Sequence, residues 1–136
     1  MSDTVVNKKT EWHHIDAKDQ VLGRIATKIA FLLTGKHRTD YAPNKVAPVY
    51  VVVTNSNEVT LTGRKEEQKM YYKYSGYPGG MKSRSAGEVR TRDSRKLIEL
   101  AVFGMLPKNS LRAERMKHLR VFTEATHPHL PQFNQK

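Results

Sequence analysis

Apolar residues recur at helical spacing from Val21 to Leu33. Val21, Leu22, Ile25, Ala26, Ile29, Ala30, Leu32 and Leu33 fall on one face, with Arg24, Thr27 and Lys28 on the other. Gly35 suits the left-handed position that closes such a helix. The run Val49-Tyr50-Val51-Val52-Val53 is continuous and rich in β-branched residues. It is short for a helix and reads as a strand covered on both faces, as in a parallel sheet. Trp12 to Asp16, Met70 to Tyr74 and Leu119 to Thr123 are further strand candidates, and Val59 to Leu61 is a short extended piece. Gly76-Tyr77-Pro78-Gly79-Gly80 must turn. Ser94 is placed to cap a helix through Leu97, Ile98, Leu100, Ala101, Val102 and Met105, which Pro107 stops. A second, strongly basic helix follows from Ser110 to His118. Strands alternating with helices predict a layered α/β fold.

No internal repeat, low-complexity tract or long linker divides the chain. We expect a mobile N-terminal extension over residues 1–10 and a single domain over 11–136 with an extended C-terminal tail. The 136 residues contain no cysteine, which excludes a disulfide framework and cysteine-ligated zinc. The longest apolar stretch, Val49 to Val53, is far below the ~20 residues that span a bilayer. Met1 to Thr10 resembles neither a secretory signal nor an organellar presequence. The expectation is a soluble protein that stays in the compartment where it is made.

Charge changes the picture most. The 24 Lys+Arg against 13 Asp+Glu give a net +11, of which residues 1–34 carry only +1. That excess points to nucleic acid first and an anionic membrane second. The cations fall into six clusters: Lys36/His37/Arg38, Arg64/Lys65, Lys69/Lys73, Lys82/Arg84, Arg90/Arg92/Arg95/Lys96, and Lys108/Arg112/Arg115/Lys117/His118/Arg120. Any one alone reads as a solvated face. Six in one small domain, interleaved with Tyr71, Tyr72, Tyr74 and Tyr77, read as an RNA-binding surface. The cations would neutralise phosphates, and exposed tyrosines would stack on unpaired bases. Alternation along a strand implies that about half of these tyrosines are buried. On the basic helix, Arg112, Arg115 and Lys117/His118 fall near one side, with Leu111 and Met116 facing inward.

Other chemistries find little support. Gly35-Lys36 is preceded by Ala30 where a P-loop needs glycine and followed by His37 where it needs Ser or Thr. His13 and His14 point to opposite faces of a strand and cannot share an ion. His127 and His129 have no nearby carboxylate in sequence, and stacking or hydrogen bonding to RNA is their favoured role. There is no Gly-x-Ser-x-Gly. The competing reading is a free regulator or enzyme with a doubly wound fold. It would need a site at the carboxyl ends of the strands, where no convergent acid, base or metal set is evident.

Several motifs together resemble one family. They are Trp12-His13-His14-Ile15-Asp16-Ala17, Leu22-Gly23-Arg24-Ile25-Ala26-Thr27-Lys28-Ile29-Ala30, Gly35-Lys36-His37 and Tyr41-Ala42-Pro43. Val51-Val52-Val53-Thr54-Asn55, Leu61-Thr62-Gly63-Arg64-Lys65 and Gly76-Tyr77-Pro78-Gly79-Gly80 follow. Ala101-Val102-Phe103-Gly104-Met105-Leu106-Pro107-Lys108-Asn109 and His127-Pro128-His129 complete the set. From Trp12 to Gln132 the chain resembles the large-subunit ribosomal protein thirteen family, bacterial or organellar type. It departs from that pattern at Pro48-Val49, Tyr74-Ser75 and Leu130-Pro131.

The resemblance implies a three-layer α/β/α fold with a four-stranded, mostly parallel sheet. It implies binding to large-subunit ribosomal RNA, a role in early assembly, neighbouring ribosomal proteins as partners, and no catalysis, cofactor or metal. The expected location is the cytoplasmic large subunit, with an organellar ribosome as the alternative. No membrane, small-molecule substrate or obligate homo-oligomer is expected. Candidate RNA contacts are Lys36, His37, Arg38, Arg64, Lys65, Lys69, Lys73, Tyr77, Lys82, Arg84, Lys108, Arg112, Arg115, Lys117, Arg120, His127 and His129.

Overall fold

The computed structural model describes residues 10–129 and 131, so the expected extension before Thr10 lies outside it, as does most of the chain beyond His129. Strand β1 (Glu11–Asp16) leads into helix α1 (Leu22–Thr34) and then strand β2 (Val49–Thr54). A 3-10 turn (Ser56–Glu58) and a one-turn helix α2 (Lys65–Gln68) precede a hairpin, β3 (Met70–Tyr74) and β4 (Met81–Ser85). Helices α3 (Ala86–Arg92), α4 (Ser94–Met105) and α5 (Arg112–Lys117) follow, and β5 (Leu119–Val121) returns to the sheet.

The sheet is parallel, in the order β1-β2-β5, with Glu11 opposite Val49 and Val51 opposite Leu119. It has three strands where four were expected. The extended piece near Val59 pairs with the chain at a single bridge, Val21 to Thr60. The reason is local: the Leu22 N–H donates to the Thr60 carbonyl at 2.9 Å, and Leu22 is already the first residue of α1. A chain entering a helix offers no second rung.

The central strand β2 is covered on both faces, as its composition predicts: Val49, Val51, Val52 and Val53 are fully buried. Val49, Val51 and Val53 share one face with Ile15, Leu119 and Val121. That face packs against Ile25, Ile29 and Leu33 of α1 and Leu97, Ile98 and Val102 of α4. The opposite face carries Trp12, His14, Tyr50 and Val52 and meets the C-terminal segment instead. His127 stacks on His14, and His129 on Trp12. Among the described residues the layers are therefore helix, sheet and a strap of chain, not two helical layers.

Helix α1 ends as read from sequence. Gly35 is left-handed (φ 76°) and its N–H donates to the Leu32 carbonyl. A Cβ there would also lie 2.6 Å from that of Ala47, so the closure is steric as well as conformational. The cap of α4 is Asp93 rather than Ser94, its carboxylate accepting from the Arg95 N–H. Ser94 is the first helical residue and is buried. Its hydroxyl donates to Asn57 Oδ1 at 2.6 Å and meets the Ser56 hydroxyl at 2.8 Å, tying α4 to the turn after β2.

At the far end of α4, Leu106 is buried whereas Met105, also expected inside, is 46% exposed. Lys108 is exposed after the Pro107 turn, and Asn109 Oδ1 accepts from the Leu111 N–H ahead of α5. Leu106→Ala is therefore expected to lower unfolding free energy by about 2–5 kcal/mol. Lys108→Ala should leave it within about 0.5 kcal/mol. Denaturant titration of both variants checks the pair, and equal losses would show that this turn has no inside and outside.

Candidate nucleic-acid interface

The hairpin β3–β4 stands off the sheet as a separate antiparallel pair, with Tyr71 opposite Arg84, Lys73 opposite Lys82 and Tyr74 opposite Met81. Its root is anchored. The Ala86 N–H donates to the Lys69 carbonyl at 2.9 Å, Ala86 is fully buried, and Arg90 of α3 ion-pairs with Glu66 of α2 at 3.0 Å. Tyr71 packs against the core, and burial pushes its phenol up from the ordinary tyrosine value. Beyond that root the arm is solvated: Tyr72, Tyr74 and Tyr77 are exposed, so one of these four tyrosines is partly buried rather than half of them.

One face of the arm looks across a cleft of about 830 Å³ toward α3 and α4. Lys73, Lys82 and Arg84 line it from the arm, and Arg92 and Lys96 from the helices, over an apolar floor that includes Val89 and Leu100. Its single acid, Asp93, is engaged. Arg95 holds that carboxylate at 2.9 Å and keeps its pKa below the ordinary aspartate range. Five cations thus line this cleft, whose one acid among the described residues is already engaged, while Glu88 lies beside Arg84 and Arg92 in the neighbouring groove. Lys73 and Lys82 sit directly across the ladder, an arrangement that repels. Arg92 and Lys96 belonged to a basic cluster in the sequence but not to the candidate contacts; the fold alone brings them opposite the arm.

Other candidate cations remain on the surface. Lys36, Arg64, Lys65, Lys69, Lys108, Lys117 and Arg120 are all exposed. Lys69 lies 5.5 Å from the centre of the Tyr71 ring, and Arg112 lies 3.7 Å from that of Phe103, a cation–π contact that fixes its guanidinium.

Four expected contacts are placed differently. Arg115 is buried, with 2% of its surface exposed, so α5 does not present three cations on one exposed side. Helix α5 packs against α1 and α4 as well as β5, and these elements close over Arg115. Arg38 is committed to two carboxylates, Glu11 at 2.7 Å and Asp40 at 2.8 Å, with 11% of its side chain exposed. His37 bonds the other oxygen of Glu11 at 2.8 Å. His127 is buried against His14 and Phe122. Alternation had correctly separated His13 from His14. His14 turns to Thr54 (3.0 Å) and His127, whereas His13 turns to Glu11.

Sequence reasoning missed the resulting trio. Ligand atoms of Glu11, His13 and His37 lie within 4.8 Å of one another. Such a set has the donors a divalent metal uses. Here, however, both imidazoles bond a carboxylate oxygen of Glu11, whose other oxygen is held by Arg38. The hydrogen bond from His37, aided by His13 and Arg38, keeps Glu11 below the usual glutamate range. The arrangement works as an ion-paired clamp between β1 and the loop after α1.

On the second face of the sheet, rings stack in series: His118 on Tyr50 (centroids 4.4 Å apart), Tyr50 on Trp12 (4.6 Å), and Trp12 on His129 (5.3 Å). His118 also donates through Nδ1 to the Val49 carbonyl at 3.1 Å. The histidines of the tail are thereby part of the fold.

The described residues form a stand-off basic arm on a small parallel α/β core. The chain belongs to the ribosomal protein L13 family, which it matches over residues 10–128. Proteins named large ribosomal subunit protein uL13 are similar to it. That of Legionella pneumophila (strain Corby) is 46% identical over 124 residues, covering 91% of this chain and 86% of the relative. That of Thermobifida fusca (strain YX) is 48% identical over 122 residues, covering 90% and 82%. That of Dictyoglomus thermophilum is 47% identical over 124 residues, covering 91% and 87%. The family is one of ribosomal structural proteins, and the chain is not an enzyme.

Two outcomes follow. Burial, with repulsion from His14 and His129, holds the His127 imidazole below its ordinary 6.5. The unfolded chain then binds the proton better, so stability is complete above pH 6.5 and declines as pH falls through and below it. Melting temperature should drop between about pH 7.5 and 5.5, and His127→Phe should flatten that drop. An unchanged acid slope in the variant would assign the loss to other groups. Separately, Arg115 Nε has no hydrogen-bond partner among the described residues. Arg115→Met should leave the melting temperature unchanged or raise it, because a buried cation without a carboxylate is costly. A large fall would mean that Arg115 carries a stabilising contact.

Proposed function

We propose that this protein is a structural constituent of the cytoplasmic large ribosomal subunit. It binds large-subunit ribosomal RNA mainly through phosphate-directed cations and supports early subunit assembly and translation. Its other partners are neighbouring large-subunit proteins; residues 11–136 act as one unit, without an obligate homo-oligomer. The observation that carries this reading is the cleft between the arm and α3–α4. Lys73, Lys82, Arg84, Arg92 and Lys96 converge there around one acid that Arg95 already occupies. A folded protein gains nothing by facing Lys73 with Lys82 unless an anion lies between them. An RNA backbone supplies a row of such anions. The exposed Arg64, Lys65, Lys69, Lys108, Lys117 and Arg120 extend the field around it, and Arg112, fixed on Phe103, adds to it.

The test has two parts. In cell lysate the protein should co-sediment with large subunits; a pool that is entirely free speaks for a regulator instead. With purified protein and large-subunit RNA, affinity should fall on the order of a thousandfold or more as salt rises from roughly 50 to 200 mM. Replacing Lys73, Lys82 and Arg84 together by alanine should make the slope of log K against log salt shallower by about 2–3. A flat plot for the unaltered protein overturns the phosphate-directed reading.

A further inference from the structure

The arm has a second face that phosphate binding leaves unused. Alternation puts Tyr71, Lys73, Lys82 and Arg84 on the cleft side and Met70, Tyr72, Tyr74 and Met81 on the other, with Tyr72 also reaching the cleft lining. That outer face is bare: Tyr72 is 68% exposed, Tyr74 59% and Met81 60%, and Tyr77 at the turn reaches 75%. Of the ten exposed large apolar residues among those described, five lie between Met70 and Met81, so the exposure is concentrated on this arm. A contiguous bare patch of this kind marks a contact surface.

The surroundings say what kind of partner fits. From Lys69 to Ser85 there are four cations, Lys69, Lys73, Lys82 and Arg84, and not one acid. An apolar protein surface would satisfy the rings but not the charge. Nucleic acid satisfies both, provided its bases are free. In a duplex they are stacked on one another, and the A-form major groove is too deep and narrow for side chains to read. Spacing adds a geometric argument. Tyr72 and Tyr74 are two residues apart on one strand, so their attachment points are about 6.8 Å apart. That is twice the roughly 3.4 Å rise between successive bases of a strand. One base fits between two rings held at that distance.

We propose that the arm binds unpaired nucleotides of RNA, with one base inserted between Tyr72 and Tyr74, Met81 beneath it, and the strand passing round the edge of the arm so that its further phosphates are drawn to Lys73, Lys82 and Arg84 on the cleft side. This rests on the RNA-binding reading above and narrows it to a bulge, loop or single-stranded segment at the arm. The phosphates set affinity and its salt dependence, and the rings select for an unpaired base.

The full-length protein is titrated against a single-stranded RNA dodecamer carrying a central 2-aminopurine and against the same strand in a blunt duplex. The single strand should bind better, with its fluorescence quenched by stacking. Tyr72→Ala/Tyr74→Ala should lose about ten- to hundredfold in affinity for the single strand, together with the quench. Its salt slope and circular dichroism should not change. Tyr72→Phe/Tyr74→Phe should retain both affinity and quench. Lys73→Ala/Lys82→Ala should do the converse of the alanine pair, lowering the salt slope while leaving the bound fluorophore quenched. Equal affinity and quench in the Tyr→Ala variant overturn the proposal and leave the RNA-binding reading standing. So does a variant that binds RNA normally yet is lost from large subunits, since the face would then dock a protein. If the unaltered protein binds neither RNA, the reading and the proposal fall together.

Discussion

Everything in this molecule is arranged around a strand that cannot touch water. Strand β2 is apolar on both sides, so each face of the sheet needs a cover. Helices α1 and α4 supply one, joining Ile29, Leu33, Leu97 and Ile98 over the valines. The other cover is unusual in being made largely of rings. Trp12, Tyr50 and His118 stack across three strands' width, and the chain beyond Phe122 folds back to add His127 and His129. Aromatic and imidazole faces suit this position because they bury wide area while their nitrogens reach backbone or hydroxyl partners at the rim.

With both faces of the core closed, charge is left to the periphery. Several acids of the chain are engaged within the fold. Glu11 and Asp40 hold Arg38, Asp93 holds Arg95, and Glu66 holds Arg90. Among the described residues, Lys73, Lys82, Arg84, Arg92 and Lys96 of the cleft form no ion pair of this kind. The division between neutralised and free cations, more than the total of +11, separates fold from interface. Arg38 and Arg84 look alike in a string of letters; one closes a loop on β1, and the other lines the cleft.

How much of this could be read beforehand depended on whether a signal was local. Helix α1, its glycine stop, strand β2 and the Pro107 turn have periodicity or steric rules within a few residues, and they are found where expected. Strand β4 was not anticipated, because Met81-Lys-Ser-Arg-Ser has one apolar residue and no buried face to impose alternation. The sheet has no fourth strand because the Met70–Tyr74 candidate pairs with Met81–Ser85 in a separate hairpin, and the extended piece near Val59 makes one bridge beside the start of α1. Arg115 and His127 were misplaced for a different reason. Composition assigns arginine and a tail histidine to the surface, whereas their burial comes from elements distant in sequence. The arm's cations were legible as clusters, but their convergence with Arg92 and Lys96 was not, since it needs the hairpin to fold back over α3 and α4.

The Lys73–Lys82 rung makes ionic strength act in two opposite senses. In the free protein, added salt screens a repulsion built into the ladder and steadies the arm. In the proposed complex, the same salt would weaken the attraction between the arm and RNA. The repulsion across this rung is therefore strongest at low salt, the condition in which a polyanion would be held most tightly. On the proposed RNA-binding reading, the nucleic acid would supply the counter-charge that the Lys73–Lys82 rung lacks.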